Sequence, residues 1–443
     1  MRIVKGYDNG KAALTRRPLG DYTLPPEASQ RLAEAFGSPL TVREAVERIL
    51  ADVRQHGDTA VRFYTERLDK VPVEGLEVSP QACQDALHKM PRRLRSALET
   101  AWERAVEYHT ACLPRSWVDF QRGWGEMFVP MERVGIYIPG GTAIYPSTVI
   151  MTVVPALVAG VDEVILCTPP RPDGPHPWIL GAAALAGATR VFQIGGAQAI
   201  AAMAFGTSTV PKVDMVCGPG NIFVTLAKQM VFGVVGVDGL YGPTETVIIA
   251  DATATPAYLA ADLLAQAEHD PLASPILITT HEALVHPLLQ EIERQQRTLP
   301  RAAITAQALR NQGLIILVDS LEEALDLANF YAPEHLCLAV ADPWRWVSQV
   351  YHAGGVFVGE DTPETLGDYL AGPSHVMPTG GTARFASALS VHHFLKAVCV
   401  VASSPEQMAS LAHDTMTLAR AEGLDGHSRA IQVRLKRWRT HRP

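Results

Sequence analysis

Apolar positions recur along this chain with two different textures, and the change from one to the other organises it. Ahead of Val134 the chain is charge-rich and reads mainly as helix. TVREAVERILADVRQHGDTAVRFYTERLD shows apolar residues at helical spacing, with Thr41 placed as an N-cap and Glu44 three residues on. ALHKMPRRLRSALETAWERAVEYHTACL predicts a second helical region, interrupted at Pro91.

From Val134 the pattern becomes strand, glycine turn, helix, repeated. RVGIYIPGG is a short β-rich run into a turn, followed by the helical STVIMTVVPALVAG. DEVILCTPP, RVFQIGG and VDMVCGPG read as further strands, and ILGAAALAGA, AQAIAAMAFG and NIFVTLAKQMVFG as the helices between and after them. Beyond Gly242 the alternation resumes through TVIIAD, ATPAYLAADLLAQAEH, SPILITT, EALVHPLLQEIERQQRTLP, GLIILVDS, SLEEALDLANFYAPEH, LCLAVAD and GGVFVGED. Such repetition predicts parallel sheets with crossover helices, hence an α/β fold with two such blocks, the second completed by the helices before residue 134. The residues from Val391 onward read as a helical arm with a basic end.

Composition narrows the function classes. A chain of 443 residues, 47% hydrophobic and 19% charged, is an ordinary globular sequence too long for one core. The net charge of −8 argues against nucleic-acid binding, and the basic cluster Arg434, Lys436, Arg437, Arg439 and Arg442 reads as a solvated helix end. No charged residue occurs from Val134 to Val161, a membrane-length stretch. Its Pro139, Pro146 and Pro155 and its glycines would free too many backbone groups for a lipid-facing helix, so a buried strand, turn and helix are expected. The six cysteines form no C-x-x-C pair, and those in VILCTPP and KAVCVV sit in apolar company, as small buried hydrophobes. The N-terminus lacks an apolar signal-peptide core, which leaves a cytoplasmic protein as the expectation.

Several short motifs carry chemistry. In QAEHD, Gln266 and His269 are three apart at a helix end, on one face, where they could share a metal. In APEHL, Glu334 and His335 at a helix–strand junction offer a carboxylate and an imidazole for proton transfer. Asp368 and His375 lie in GDYLAGPSHVMPTGG after a strand, where α/β ligands tend to bind, and Glu422 and His427 lie in EGLDGH. Each taken alone also suits an ordinary surface pair, loop or helix terminus. The turns YIPGG, IGGAQ and CGPGN suit close backbone approach to a phosphate, but none is G-x-G-x-x-G, so spacing alone supports only a phosphate or nucleotide site of unspecified kind.

VGIYIPGG, GGAQAIAAMAFGT, VPKVDMVCGPGN, GPTETVIIAD, LLAQAEHDP, APEHL, GDYLAGPSHVMPT and EGLDGH, in this order, resemble the histidinol dehydrogenase family over nearly the whole chain. The resemblance implies a zinc- and NAD-dependent enzyme oxidising L-histidinol through L-histidinal to L-histidine. It implies zinc ligands at Gln266, His269, Asp368 and His427, and proton transfer by Glu334 and His335. Substrate contacts map to Thr244, His375 and Glu422, together with His335 and the ligand residues, and NAD contacts to Tyr137, Gln198 and Asn221. The expected architecture is an N-terminal segment (1–28), one Rossmann-like domain from 29–136 and 247–390 carrying most zinc and catalytic residues, an NAD-binding one at 137–246, and an arm at 391–443. In that family the arm completes the partner's zinc site in an intertwined homodimer with shared active sites. Four positions depart from the pattern: Thr244 replaces a serine, Asp270 replaces a common glycine, and Gly380 and Gly381 stand where an aromatic is frequent. The alternative reading is a paralogous zinc- and NAD-dependent dehydrogenase of another small alcohol such as sulfopropanediol, and a third is a non-catalytic metal-binding protein on the same fold.

Overall fold

The computed structural model describes residues 1–16, 26–140 and 143–440, so Gly141 of the YIPGG turn and Arg442 of the basic tail lie outside the described residues. The chain divides into two compact units: Met1–Cys112 with Met131–Phe394, and Leu113–Pro130 with Leu395–Pro443.

The first unit holds two six-stranded sheets. In the first sheet the order is Glu77–Val78, Arg190–Gln193, Glu163–Thr168, Arg133–Tyr137, Met215–Cys217, Gly236–Val237. All pair in parallel except Glu77–Val78, which runs antiparallel to Arg190–Gln193. In the second the order is Arg2–Lys5, Leu314–Leu317, Ser274–Thr279, Glu245–Ala250, His335–Ala339, Gly355–Val358, parallel throughout. Each sheet therefore winds outward from a central strand, reverses, and winds out the other way, with an extra edge strand drawn from earlier in the chain. The reversals fall beside Arg133–Tyr137 and beside Glu245–Ala250, the doubly wound arrangement in which ligand crevices form.

The strands from TVIIAD to GGVFVG and the helices between them form as their patterns predict. Thr41 caps the helix Val42–His56 in a full capping box with Glu44, and the next helical region breaks at Met90–Pro91. STVIMTVVPALVAG becomes the buried helix Pro146–Val158. Among the described residues no helix is long and apolar enough to cross a membrane.

Three expectations change. The helices between Val42 and Ala111 were expected to complete the second sheet's domain, yet they pack on the helices of the first: Val46, Ile49, Val53 and Tyr64 share a core with Phe192, Ile200 and Val224. The antiparallel strand Glu77–Val78 ties this region to the first sheet, and Arg190 fixes it through two 2.7 Å hydrogen bonds to Glu77. The N-terminus is not a separate segment at its start, because Arg2–Lys5 adds an edge strand to the second sheet. The arm is not helical from its beginning. In the second unit Leu395–Val401 pairs antiparallel with Trp124–Pro130, which also pairs with Trp117–Asp119, before the helices Pro405–Ala421 and Asp425–Thr440. Cys399 on that strand is exposed rather than buried, whereas Cys167 is buried as expected.

Candidate active site

The second sheet gathers its chemistry at the amino ends of its strands. His335 opens its strand, in register with Thr246 and Gly355 on either side. The preceding helix Leu321–Tyr331 ends on Ala332 in the left-handed conformation (φ 53°), which reverses the chain and delivers Pro333 and Glu334 to the sheet edge. Gly354 is required beside them, since a Cβ there would lie 2.6 Å from the Glu334 carbonyl oxygen. Crossover helices run back against their strands, so their C-termini return to this same edge. Gln266 lies near the end of Pro256–Ala267 and Asp368 near the end of Glu364–Tyr369.

The Glu245 main chain joins the two proton-transfer candidates. Its N–H donates to Glu334 Oε2 at 3.1 Å, and its carbonyl accepts from His335 Nδ1 at 3.3 Å. With Nδ1–H so engaged, the neutral ring carries its lone pair on Nε2. That buried nitrogen has no hydrogen-bond partner and faces Asp368 Oδ1 at 3.6 Å. Burial disfavours the His335 imidazolium, but the Glu334 and Asp368 carboxylates outweigh it and hold the pKa above the ordinary value. Burial pushes the Glu334 carboxyl up to about 7, partly opposed by His335 and Thr244.

Thr244 Oγ1 donates to Glu334 Oε2 at 2.6 Å and lies 3.3 Å from the Gln266 side-chain amide. A hydroxyl has one proton, and the ionised Glu334 takes it at the shorter distance. Gln266 turns Oε1 toward Thr244 and keeps Nε2 buried without a partner; turning the amide over exchanges the two ends and would set the carbonyl oxygen in the unpartnered place. Asp368 is half-buried, and His269 is exposed in the lining of a cavity of about 520 Å³ formed also by Tyr145, Trp178, Arg301 and Tyr369. Among the described residues no three histidine, cysteine, aspartate or glutamate side chains converge on a metal position. Gln266 is outside that set of residue types, and His427, with Glu422, is exposed on the second unit. His375 is fully engaged within the first unit: Nδ1 contacts the Asp368 carbonyl at 2.6 Å and Nε2 the Thr148 hydroxyl at 3.0 Å.

The first sheet presents the other expected residues at the carboxyl ends of its strands. Tyr137 ends the central strand, and its hydroxyl accepts from Gly196 N at 3.1 Å. Gln198 is buried, donating to Asp69 at 3.2 Å with its Oε1 unpartnered. Asn221 caps Ile222–Val231, its Oδ1 accepting from Phe223 N and Val224 N.

Sequence reasoning missed four participants. Glu364 is buried behind His335, bonded to Thr246 and to Cys337, with Oε2 unpartnered. Thr148 holds His375, and Asp69, whose carboxyl burial raises to about 6, sits by Gln198. Lys228 pairs with Asp238 beneath the CGPGN turn. A lysine inside the apolar NIFVTLAKQMVFG was a visible signal for the last; the others had none.

The histidinol dehydrogenase family description matches residues 35–435. Histidinol dehydrogenase from Dehalococcoides mccartyi is 46% identical over 438 residues, covering 98% of this chain and 100% of that protein. The enzyme of the same name from Thermus thermophilus is 51% identical over 396 residues, covering 89% of this chain and 95% of that protein. The crystal structure of histidinol dehydrogenase from Elizabethkingia anophelis superimposes with a TM-score of 0.90 at 34% identity, covering 98% of each chain. Matches of this identity and extent, with the APEHL and QAEH residues brought to one sheet edge, establish that the chain belongs to the histidinol dehydrogenase family.

Proposed function

We propose that this NAD-dependent oxidoreductase converts L-histidinol through L-histidinal to L-histidine, reducing two NAD per substrate. The observation that carries the mechanism is the pairing of Glu334 and His335 through the Glu245 main chain, with His335 Nε2 left free of any hydrogen bond. His335 Nε2 takes the alcohol proton as hydride leaves the carbinol carbon for NAD. Glu334, held by Thr244 and Glu245 N–H, then takes a proton from the water that adds to the aldehyde. His335 takes the remaining hydroxyl proton of the hydrate anion as the second hydride leaves, and the carboxylate results. The three protons taken, one from the alcohol, one from the water and one from the hydrate, are released to solvent, so atoms and electrons balance at two NADH, three protons and one carboxylate formed for one water consumed.

The donor set suits zinc of the catalytic kind, because it offers nitrogen and oxygen without thiolate and includes a buried amide end with no partner. Gln266, His269 and Asp368 would hold it, with His427 supplied by the arm of a second copy in a homodimer. When bound it supplies positioning of the substrate's amine and imidazole. Tyr137, Gln198 and Asn221 would contact NAD, and Thr244, His375 and Glu422 the substrate; with both its nitrogens engaged, His375 acts through ring contact and by fixing the Asp368 segment.

Counting NADH against histidinol consumed tests this reading. Two NADH per histidinol are expected. One NADH with trapped aldehyde, or turnover of sulfopropanediol but not histidinol, would overturn it.

A further inference from the structure

Glu245 holds both catalytic side chains by its main chain, and its own carboxylate is held in turn by a residue from the N-terminus. The Glu245 side chain is buried, and accepts from Gly380 N at 3.1 Å. Arg16 meets it as a two-pronged fork: Nη2 donates to Oε2 at 2.8 Å and Nη1 donates to Oε1. The same guanidinium donates to the Tyr331 carbonyl, from Nε at 3.2 Å and Nη2 at 2.8 Å, and lies over the Tyr331 ring at 3.7 Å.

These contacts make one planar group span the two segments that must stay in register. One segment is Thr244–Glu245 at the start of its strand. The other is Tyr331–Pro333, the turn that delivers Glu334 and His335. A guanidinium is suited to this because its donors are fixed in one plane, whereas an ammonium is a point charge. Arg16 lies outside residues 35–435, the stretch the family description matches.

We propose that Arg16 is a positioning residue for the catalytic pair, clamping Glu245 to the Tyr331 turn so that Glu334 and His335 keep their spacing. The proposal rests on the reading of Glu334 and His335 as the proton-transfer residues. It makes the N-terminal segment part of the active-site support rather than an edge ornament of the sheet.

The experiment compares Arg16→Ala, Arg16→Lys and Arg16→Ala/Glu245→Gln in the full-length, metal-loaded enzyme. Misplacement of reacting groups by an ångström costs up to about a hundredfold in rate. Arg16→Ala should therefore lose at least about tenfold in kcat from histidinol and from histidinal, with KM for histidinol and NAD within about threefold. The Arg16 side chain is 25% exposed, so free guanidinium at low millimolar concentration can reach the vacancy and should restore part of kcat, whereas urea should not. Arg16→Lys keeps the charge but not the fork, and should stay about fivefold or more below the parent. The double variant removes the unbalanced charge without restoring the clamp, and should stay as slow as Arg16→Ala. Full activity in Arg16→Lys or in the double variant would overturn the clamp in favour of simple charge balance. If Arg16→Ala does not fold, Arg16→Lys decides alone: a loss in kcat with KM and melting temperature kept supports the clamp, and parental kcat overturns it. His335→Asn serves as the separate control. If it retains kcat, the catalytic reading fails; if it is impaired while every Arg16 variant is fully active, only the clamp fails.

Discussion

The two sheets of the first unit wind in the same order but are used at opposite edges. The first presents turns at the carboxyl ends of its strands, where Tyr137, Gly196 and Asn221 lie. The second presents side chains at the amino ends, where His335 opens a strand and the helices carrying Gln266 and Asp368 return. One buried cluster from each differs in the same sense, although Gln198 at the first sheet also keeps its Oε1 without a partner. Beneath the first sheet's CGPGN turn, the Lys228 ammonium meets Asp238 at 2.5 Å and the Gly218 carbonyl at 2.9 Å, and Asp238 accepts from Gly218 N and Gly239 N. This cluster is internally matched and shapes a backbone turn. At the second sheet's edge Gln266, His335 and Glu364 each keep a buried polar atom without a partner. Such atoms cost about 1–3 kcal/mol each when unpaired, which is tolerable where substrate or metal completes them. One doubly wound scaffold thus supplies a pre-shaped cradle at one edge and reactive groups at another.

The comparison breaks most sharply at His335. His335→Asn should lower kcat by about 10²–10⁴-fold while leaving NAD affinity, read by cofactor fluorescence, unchanged. Loss of NAD affinity with kcat preserved would show that the two edges do not divide the work in this way. Lys228→Met should do the reverse. It strands the buried Asp238 carboxylate and should cost about 3–5 kcal/mol in chemical denaturation, and Lys228→Met/Asp238→Asn should regain most of that. A neutral single variant would mean that the pair does not support the turn.

Glu334→Gln sharpens the division within the second sheet's edge. It should slow the aldehyde-to-acid half by about tenfold or more beyond any effect on the alcohol half, in stopped-flow runs begun from each compound. The pH profile carries a sign as well. His335 must be neutral to act as base, and the Glu334 carboxylate holds its pKa up. Removing that charge should move the rising limb of the alcohol half to lower pH, by about one unit. A limb that stays put or moves up would contradict the coupling. The smallest effect concerns Gln266→Leu. In metal-free protein it should change stability by less than about 1 kcal/mol, since the amide it removes is already short of a partner. Metal content by elemental analysis should nevertheless fall, and unchanged metal content would remove Gln266 from the ligand set.

Much of this was legible before any coordinates. The capping box at Thr41 and Glu44, the break at Pro91 and the helix–turn–strand texture around APEHL depend on residues within a few positions of each other, and they formed as read. Other features were out of reach for a stated reason. RIVK is too short and too charged at its ends to announce a strand, and becomes one because Leu314–Leu317 offers an open edge. Arg16 and Glu245, Thr148 and His375, and Thr246 and Glu364 are each separated by more than a hundred positions. No local pattern marks such pairs, since each half alone is an ordinary polar residue.

What the sequence by itself determined, then, is the alternating strands and helices from Val134 to Val358, their order along the chain and the family to which the motifs belong. Hydrophobic period and turn chemistry act over a few residues, and the backbone obeys them locally. The tertiary structure alone decided that the helices from Val42 to Ala111 cover the first sheet, that Glu334 and His335 lie at the amino edge of the second, and that Glu245 ties one to the other. Those outcomes depend on which apolar faces bury each other and on which distant polar groups then meet in low dielectric, where an unmatched group is costly and a matched one fixes geometry.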